Sequence, residues 1–242
     1  MAQFISAKDF DPTSLVIGNA LPQTNGTHRC VINYKYRDGS CGPLMICTPK
    51  LFSFGVCAQA PIGEAVKEDM SNVYGYVLPL CLCDNSNVVK SEEQDLINAI
   101  EKIPDLIKEH CIKTEFNAEI GKYGDEKFTG ADFKKLTPIY RKKDKGVIVA
   151  GKSPMLYPKL KWKKNDNTFA TIFNKNDDAY TSDTGIHIEN VNPSELCNKK
   201  MNVKCQLHIE SIFVGSKISL QVKVSQVLFH CIENTQCRIP GF

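Results

Sequence analysis

The chain has 242 residues and a mass of 27.0 kDa, enough for one ordinary domain with a real core. Hydrophobic residues make up 42% and charged residues 24%, near globular averages, which excludes wholesale disorder. The net charge of +3 singles out no partner, and the longest mostly apolar run, Tyr74 to Cys83, is too short for a membrane-spanning helix.

His28 to Tyr36 has strand composition, Asp38-Gly39 marks a turn, and Leu44 to Thr48 reads as the returning strand. Leu51 to Gln59 and Asn72 to Cys83 are further strands, with Pro79 marking an edge or a bulge in the second. The one strong helix opens near Ser91, which is placed to cap it. Glu92, Glu93 and Asp95 suit its positive end, and Leu96, Ile97, Ile100, Ile103 and Ile107 mark one face. Pro104 removes a backbone donor and predicts a kink or a restart. Residues 121–146 are rich in Gly, Asp and Lys and read as loop, with a helical stretch around 131–136.

Strands resume at Gly146 to Ala150, Met155 to Trp162 and Thr168 to Phe173, and Asn174 to Asp183 is polar and turn-like. The clearest feature comes last: Val203 to Val214, then Gly215-Ser216, then Lys217 to Phe229. Ile218, Leu220, Val222 and Val224 alternate with Lys217, Ser219, Gln221 and Lys223, the pattern of a half-buried hairpin arm with a cationic outer face. Seven or eight strands against one main helix predict a mainly β fold, a small antiparallel barrel with inserted helices, α+β overall. The expected organisation is a single domain over residues 1–242 with an acidic helical insertion around 91–135.

The chemistry-bearing residues exclude more than they support. Eleven cysteines, with neither a basic nor an apolar signal region in the first ten residues, point to reduced thiols. No Cys-x-x-Cys occurs, and no four-ligand zinc set assembles locally. Cys47, Cys57, Cys205 and Cys231 lie in strand-like segments and read as small core residues. Asn25-Gly26-Thr27 matches a glycosylation sequon that a cytosolic protein does not present to that machinery. Gly146-Val-Ile-Val-Ala-Gly151-Lys152-Ser153 spells a nucleotide phosphate loop, but strand formers fill its middle. Pro154 and Pro158 deny it the helix that must follow. The five histidines recur at no useful spacing, and no hydrolase or metalloprotease signature is present. No enzymatic activity, cofactor or metal is expected.

The charge becomes informative once resolved along the chain. Residues 64–131 hold fourteen carboxylates against seven cations, net −7, and residues 132–164 hold eleven cations against two carboxylates, net +9. Phe133, Tyr140, Tyr157 and Trp162 interleave with those cations. Cations track phosphates while rings stack on bases, which is the chemistry of single-stranded nucleic-acid binding. In Lys152 to Lys164, read as a strand, Leu156, Leu160 and Trp162 share one face, and Tyr157, Lys159, Lys161 and Lys163 the other. Lys142, Lys143 and Lys152 precede this strand in the basic block, and Lys217, Lys223, Lys35 and Arg37 extend the candidate surface.

The segment Ser153-Pro-Met-Leu-Tyr-Pro-Lys-Leu160, followed by Ile209-Glu-Ser-Ile-Phe-Val-Gly-Ser-Lys-Ile-Ser-Leu-Gln-Val-Lys223, resembles the single-stranded DNA-binding proteins of nucleocytoplasmic large DNA viruses, as does the early Gly42-Pro-Leu-Met45. The resemblance implies an OB-fold core with insertions and sequence-independent binding of single-stranded DNA in viral replication, recombination or repair. Tyr157, Lys159, Lys161, Lys217 and Lys223 are the matching site positions. With it go viral replication proteins or a second copy of the chain as expected partners and location in the host cytoplasmic replication factory or the virion, while the short apolar runs give no expectation of a membrane. Related proteins often end in an acidic tail capped by an aromatic, whereas Cys237-Arg-Ile-Pro-Gly-Phe242 is not acidic. A virion structural or genome-packaging protein with a basic nucleic-acid-contacting strand is the alternative.

Overall fold

The C-terminal hairpin is the spine around which the rest of the chain is arranged. The structure is a computed structural model and describes residues 3–24, 26–83, 89–121, 128, 132–133, 136–175 and 189–232. In chain order its main strands are β1 His28–Lys35, β2 Cys41–Cys47, β3 Leu51–Ser53, β4 Cys57–Gln59, β5 Gly75–Val77 and β6 Leu80–Cys81. Helices α1 Ser91–Cys111 and α2 Thr114–Glu119 follow. Then come β7 Met155–Leu156, β8 Lys159–Leu160, β9 Trp162–Lys163, β10 Thr168–Phe169, β11 Ile172–Lys175, β12 Met201–Val214 and β13 Ile218–Cys231.

Strands β12 and β13 pair antiparallel along their whole length. β12 also carries β1, β2 and β3 on its other edge, at different heights. β13 receives β8 and β11 in parallel register. Among the described residues sixteen strands join in one sheet, which curls into a half barrel. The fold is mainly β with inserted helices. One apolar cluster runs from Ile32 and Leu44 through Leu207, Ile209 and Val224 to Ile100 and Ile107, so α1 packs against the same core as the sheet.

Several boundaries differ from the sequence expectation, each for a local reason. The Leu51 to Gln59 run divides into β3 and β4 at Gly55, which adopts φ +98. There an added Cβ would sit 2.5 Å from the Lys199 nitrogen. The Asn72 to Cys83 run divides into β5 and β6 around Pro79, which has no N–H for a ladder. Ser91 is the first helical residue and not the cap; the Glu93 carboxylate caps α1 by accepting the Lys90 backbone N–H at 3.0 Å. Pro104 is buried inside α1, which runs unbroken past it to Cys111. The sequon residue Asn25, residues 122–127, 129–131 and 134–135 of the loop and helical stretch expected at 121–146, His187 and the C-terminal Phe242 lie outside the described residues.

Gly146 to Ser153, with its phosphate-loop spelling, contributes one arm of a small hairpin, Lys143–Asp144 against Val147–Ile148. Gly146 turns it at φ +85, and Ser153 Oγ donates to the Cys83 carbonyl at 2.6 Å. The ten described cysteines are free thiols. Burial pushes Cys30 and Cys111 up to about 12 and Cys81 to about 11, which keeps them protonated core residues.

Candidate nucleic-acid interface

The stretch read as one strand, Met155 to Trp162, folds as three short ones because each half finds a different neighbour. β7 pairs with β6, β8 pairs with β13 on one side and β5 on the other, and β9 turns back on β10. Alternation survives these breaks: Leu156 and Leu160 are buried, whereas Lys159 and Lys163 are exposed. Thr171 fixes the piece in place. Its buried hydroxyl accepts the Lys161 backbone N–H at 2.8 Å and donates to the Val224 carbonyl at 2.8 Å.

The register of β8 on β13 sets Lys159 directly beside Lys223. Like charges opposite one another destabilise a sheet, so each needs a local partner. Lys159 Nζ donates to Gln221 Oε1 at 3.1 Å, Lys223 Nζ to Glu210 Oε1 at 2.8 Å and Lys161 Nζ to Ser225 Oγ at 2.8 Å. Glu210 also pairs with Arg29 at 3.2 Å. Its placement depends on a bulge. Ile209 faces Val222 and Ser211 faces Gln221, which leaves Glu210 as the extra residue of β12. A bulge re-aims side chains, and here it turns a carboxylate toward two cations. Burial alone raises the Glu210 carboxyl, but the hydrogen bond and charge of Lys223, with Arg29 and His208, outweigh it and hold it below the usual range. Lys161 is shifted down, mainly by burial and further by Lys223, with Glu210 opposing.

Apart from Ser225 and His208, these groups line a cavity of about 610 Å³ on the polar face of the spine. Arg29, Lys159, Lys161, Lys163 and Lys223 supply five cations against the single carboxylate of Glu210. The apolar wall is aromatic. Trp162 meets Tyr76 edge-on with centroids 5.1 Å apart, Phe169 packs on Tyr76 at 5.0 Å from outside the lining, and Trp162 Nε1 donates to Asn167 Oδ1 at 3.0 Å. Tyr74, 56% exposed, and Phe213 complete the rim.

The structure thus brings together Lys159, Lys161, Trp162, Lys163 and Lys223 of the residues picked out from sequence. It sets the others elsewhere. Lys35 ends β1, Arg37 is paired with Asp9 at 3.1 Å, and Lys142 and Lys143 belong to the small separate hairpin. Lys152 is exposed just beyond the turn at 150–151, and Lys217 is at the tip of the β12–β13 hairpin. Tyr157 meets Tyr140 edge-on at 6.3 Å, outside the lining of the cavity. Phe133, counted among the interleaved rings, is core. Sequence reading missed Arg29, Tyr74, Tyr76, Glu210 and Phe213. Tyr74-Gly75-Tyr76 carried a readable signal, two rings flanking a glycine in a strand. Glu210 carried none, because a bulge is invisible to periodicity.

The family described as "Protein of unknown function (DUF2738)" matches residues 10–239. The chain belongs to this family. The DUF2738 chain is similar to the "Early 31 kDa protein" of Frog virus 3 (isolate Goorha), 29% identical over 222 residues, covering 90% of this chain and 76% of that protein. It is also similar to "Uncharacterized protein 007R" of Invertebrate iridescent virus 3, 25% identical over 190 residues, covering 77% of this chain but 36% of that longer protein. DUF2738 proteins are thus found in large DNA viruses, the setting named by the resemblance drawn from Ser153–Leu160 and the terminal hairpin. No described helix is long and apolar enough to cross a membrane.

Proposed function

We propose that this protein binds single-stranded DNA without regard to overall sequence, as a non-enzymatic factor in replication, recombination or repair of a large DNA virus. The observation that carries the reading is the cationic row of the groove. Lys159 and Lys223 stand side by side in register, with Lys161 next along the chain, beside an exposed Tyr74 and a half-buried Trp162. Adjacent like charges cost stability in the free protein, and a phosphate backbone laid along them relieves that cost. Tyr74 at the rim and Trp162 in the lining are rings on which unpaired bases can stack, which supports a single strand over a duplex. An OB-type arrangement of the curled sheet is the finer fold reading that accompanies this function, and the resemblance in the Ser153–Leu160 segment supports both.

Titration of labelled oligo-dT at several salt concentrations, with duplex DNA as competitor, tests the proposal. Affinity that falls steeply with salt and favours the single strand is the expected result. A flat salt response, or equal affinity for duplex, refutes it.

A further inference from the structure

Beyond Lys161 the groove opens into a second cavity, also of about 610 Å³. Lys161 and Ala170 line both, so one path runs past the lysine from the aromatic compartment into this one. Its character is different. Three carboxamides line it: Gln3, already held by Ser40 and Asp38, and the cross-strand pair Gln206 and Gln226 of the β12–β13 ladder, with the His208 imidazole beside them and Tyr36 and Met45 as an apolar wall.

A second bulge makes this compartment. Gln206 pairs with Gln226 and Leu207 with Val224, so Ser225 is left over on β13. Neighbouring residues of a regular strand point to opposite faces, yet Ser225 and Gln226 both line the cavity. Among the described residues the side chains of Gln206 and Gln226 have no hydrogen-bond partner, and His208 Nδ1 is buried with none. Burial, then Lys161, with Lys223 and Arg29 beyond, pushes His208 down to about 4, while Glu210 opposes. The ring is therefore neutral at physiological pH, with one donor and one acceptor nitrogen. A carboxamide likewise presents a donor and an acceptor side by side, the pattern that matches the edge of a base. The volume falls in the range of small-ligand sites, about 300–1,000 Å³.

We infer that this second compartment is a nucleobase pocket: it takes a base of the strand whose phosphates lie on Lys161 and Lys223, and hydrogen bonds from Gln206 and Gln226 give the protein a base preference. The inference rests on the nucleic-acid reading of the groove and adds selectivity at one nucleotide to otherwise sequence-independent binding.

The test compares 12-mers of dT, dC and dA by fluorescence anisotropy, for wild type and for Gln206→Ala/Gln226→Ala. The wild type is expected to rank the three with a spread of fivefold or more. The double variant brings them within twofold of one another, with its salt slope unchanged because no cation has been removed. An even wild-type ranking, or a ranking that survives the substitutions, would overturn the pocket and leave the phosphate groove standing. Failure of every strand to bind the wild type overturns both readings together. If the double variant does not fold, as judged by its melting curve, the exposed Gln226→Ala alone carries the same comparison.

Discussion

Replacing Lys159 and Lys163 with alanine removes two exposed cations from the groove while leaving buried contacts alone. The magnitude follows from counterion release. Five cations and one carboxylate give the cavity a net charge of four. Each phosphate neutralised on a single strand releases about 0.7 counterion, so the wild-type slope of log affinity against log salt is about −2.8. Between 50 and 200 mM salt that is a loss of about 50-fold. The double variant keeps a net charge of two, a slope of about −1.4, and a loss of about sevenfold over the same interval. Anisotropy titrations of one oligo-dT at four salt concentrations measure both slopes. An unchanged slope in the double variant refutes the groove as the phosphate track, whatever happens to affinity at one salt concentration.

Tyr74→Ala is expected to weaken single-strand binding by about 1–3 kcal/mol, the worth of one stacked base, whereas Tyr157→Ala, whose ring rests on Tyr140 outside the groove, is near neutral for binding. The opposite order in matched titrations would move the interface to the Tyr140–Tyr157 patch. Gly55→Ala places a Cβ 2.5 Å from the Lys199 nitrogen and 2.7 Å from the Leu196 and Lys199 carbonyls at a φ of +98. It is expected to cost about 3 kcal/mol in urea unfolding, and wild-type stability would contradict the close approach. His208 titrates near 4 when folded and at its ordinary 6.5 when unfolded, so between those values the unfolded chain holds the extra proton. Stability is therefore full above about 6.5 and declines as pH falls toward 4, by about 1–2 kcal/mol for a ring partly open to water. His208→Gln removes that part of the decline, and urea midpoints at pH 7 and 4.5 with the same pH dependence as wild type would exclude it.

Much of the frame is legible in the residue pattern because it depends on local periodicity. Ile218, Leu220, Val222 and Val224 alternate over a length that only a hairpin arm satisfies, and β13 runs from Ile218 to Cys231. The apolar positions of α1 mark its buried face, and Leu96, Ile97, Ile100, Ile103 and Ile107 are all buried. Where a segment has two different neighbours, periodicity fails. Met155 to Trp162 alternates correctly and still breaks into three strands, since sheet pairing is decided by distant partners such as Cys81, Val77 and Phe169.

The sequence by itself determined the chemistry of the candidate interface: a block of net +9, with lysines at every second position around Trp162. That much is composition and spacing, and needs no partner strand. Which cations share one cavity was decided only by tertiary structure. Strand register sets Lys223 beside Lys159, the bulge at Glu210 anchors Arg29 and Lys223, and the bulge at Ser225 opens the second compartment. Register and bulges arise from how many residues each strand fits against its neighbour, a balance of packing over the whole sheet that no single segment encodes.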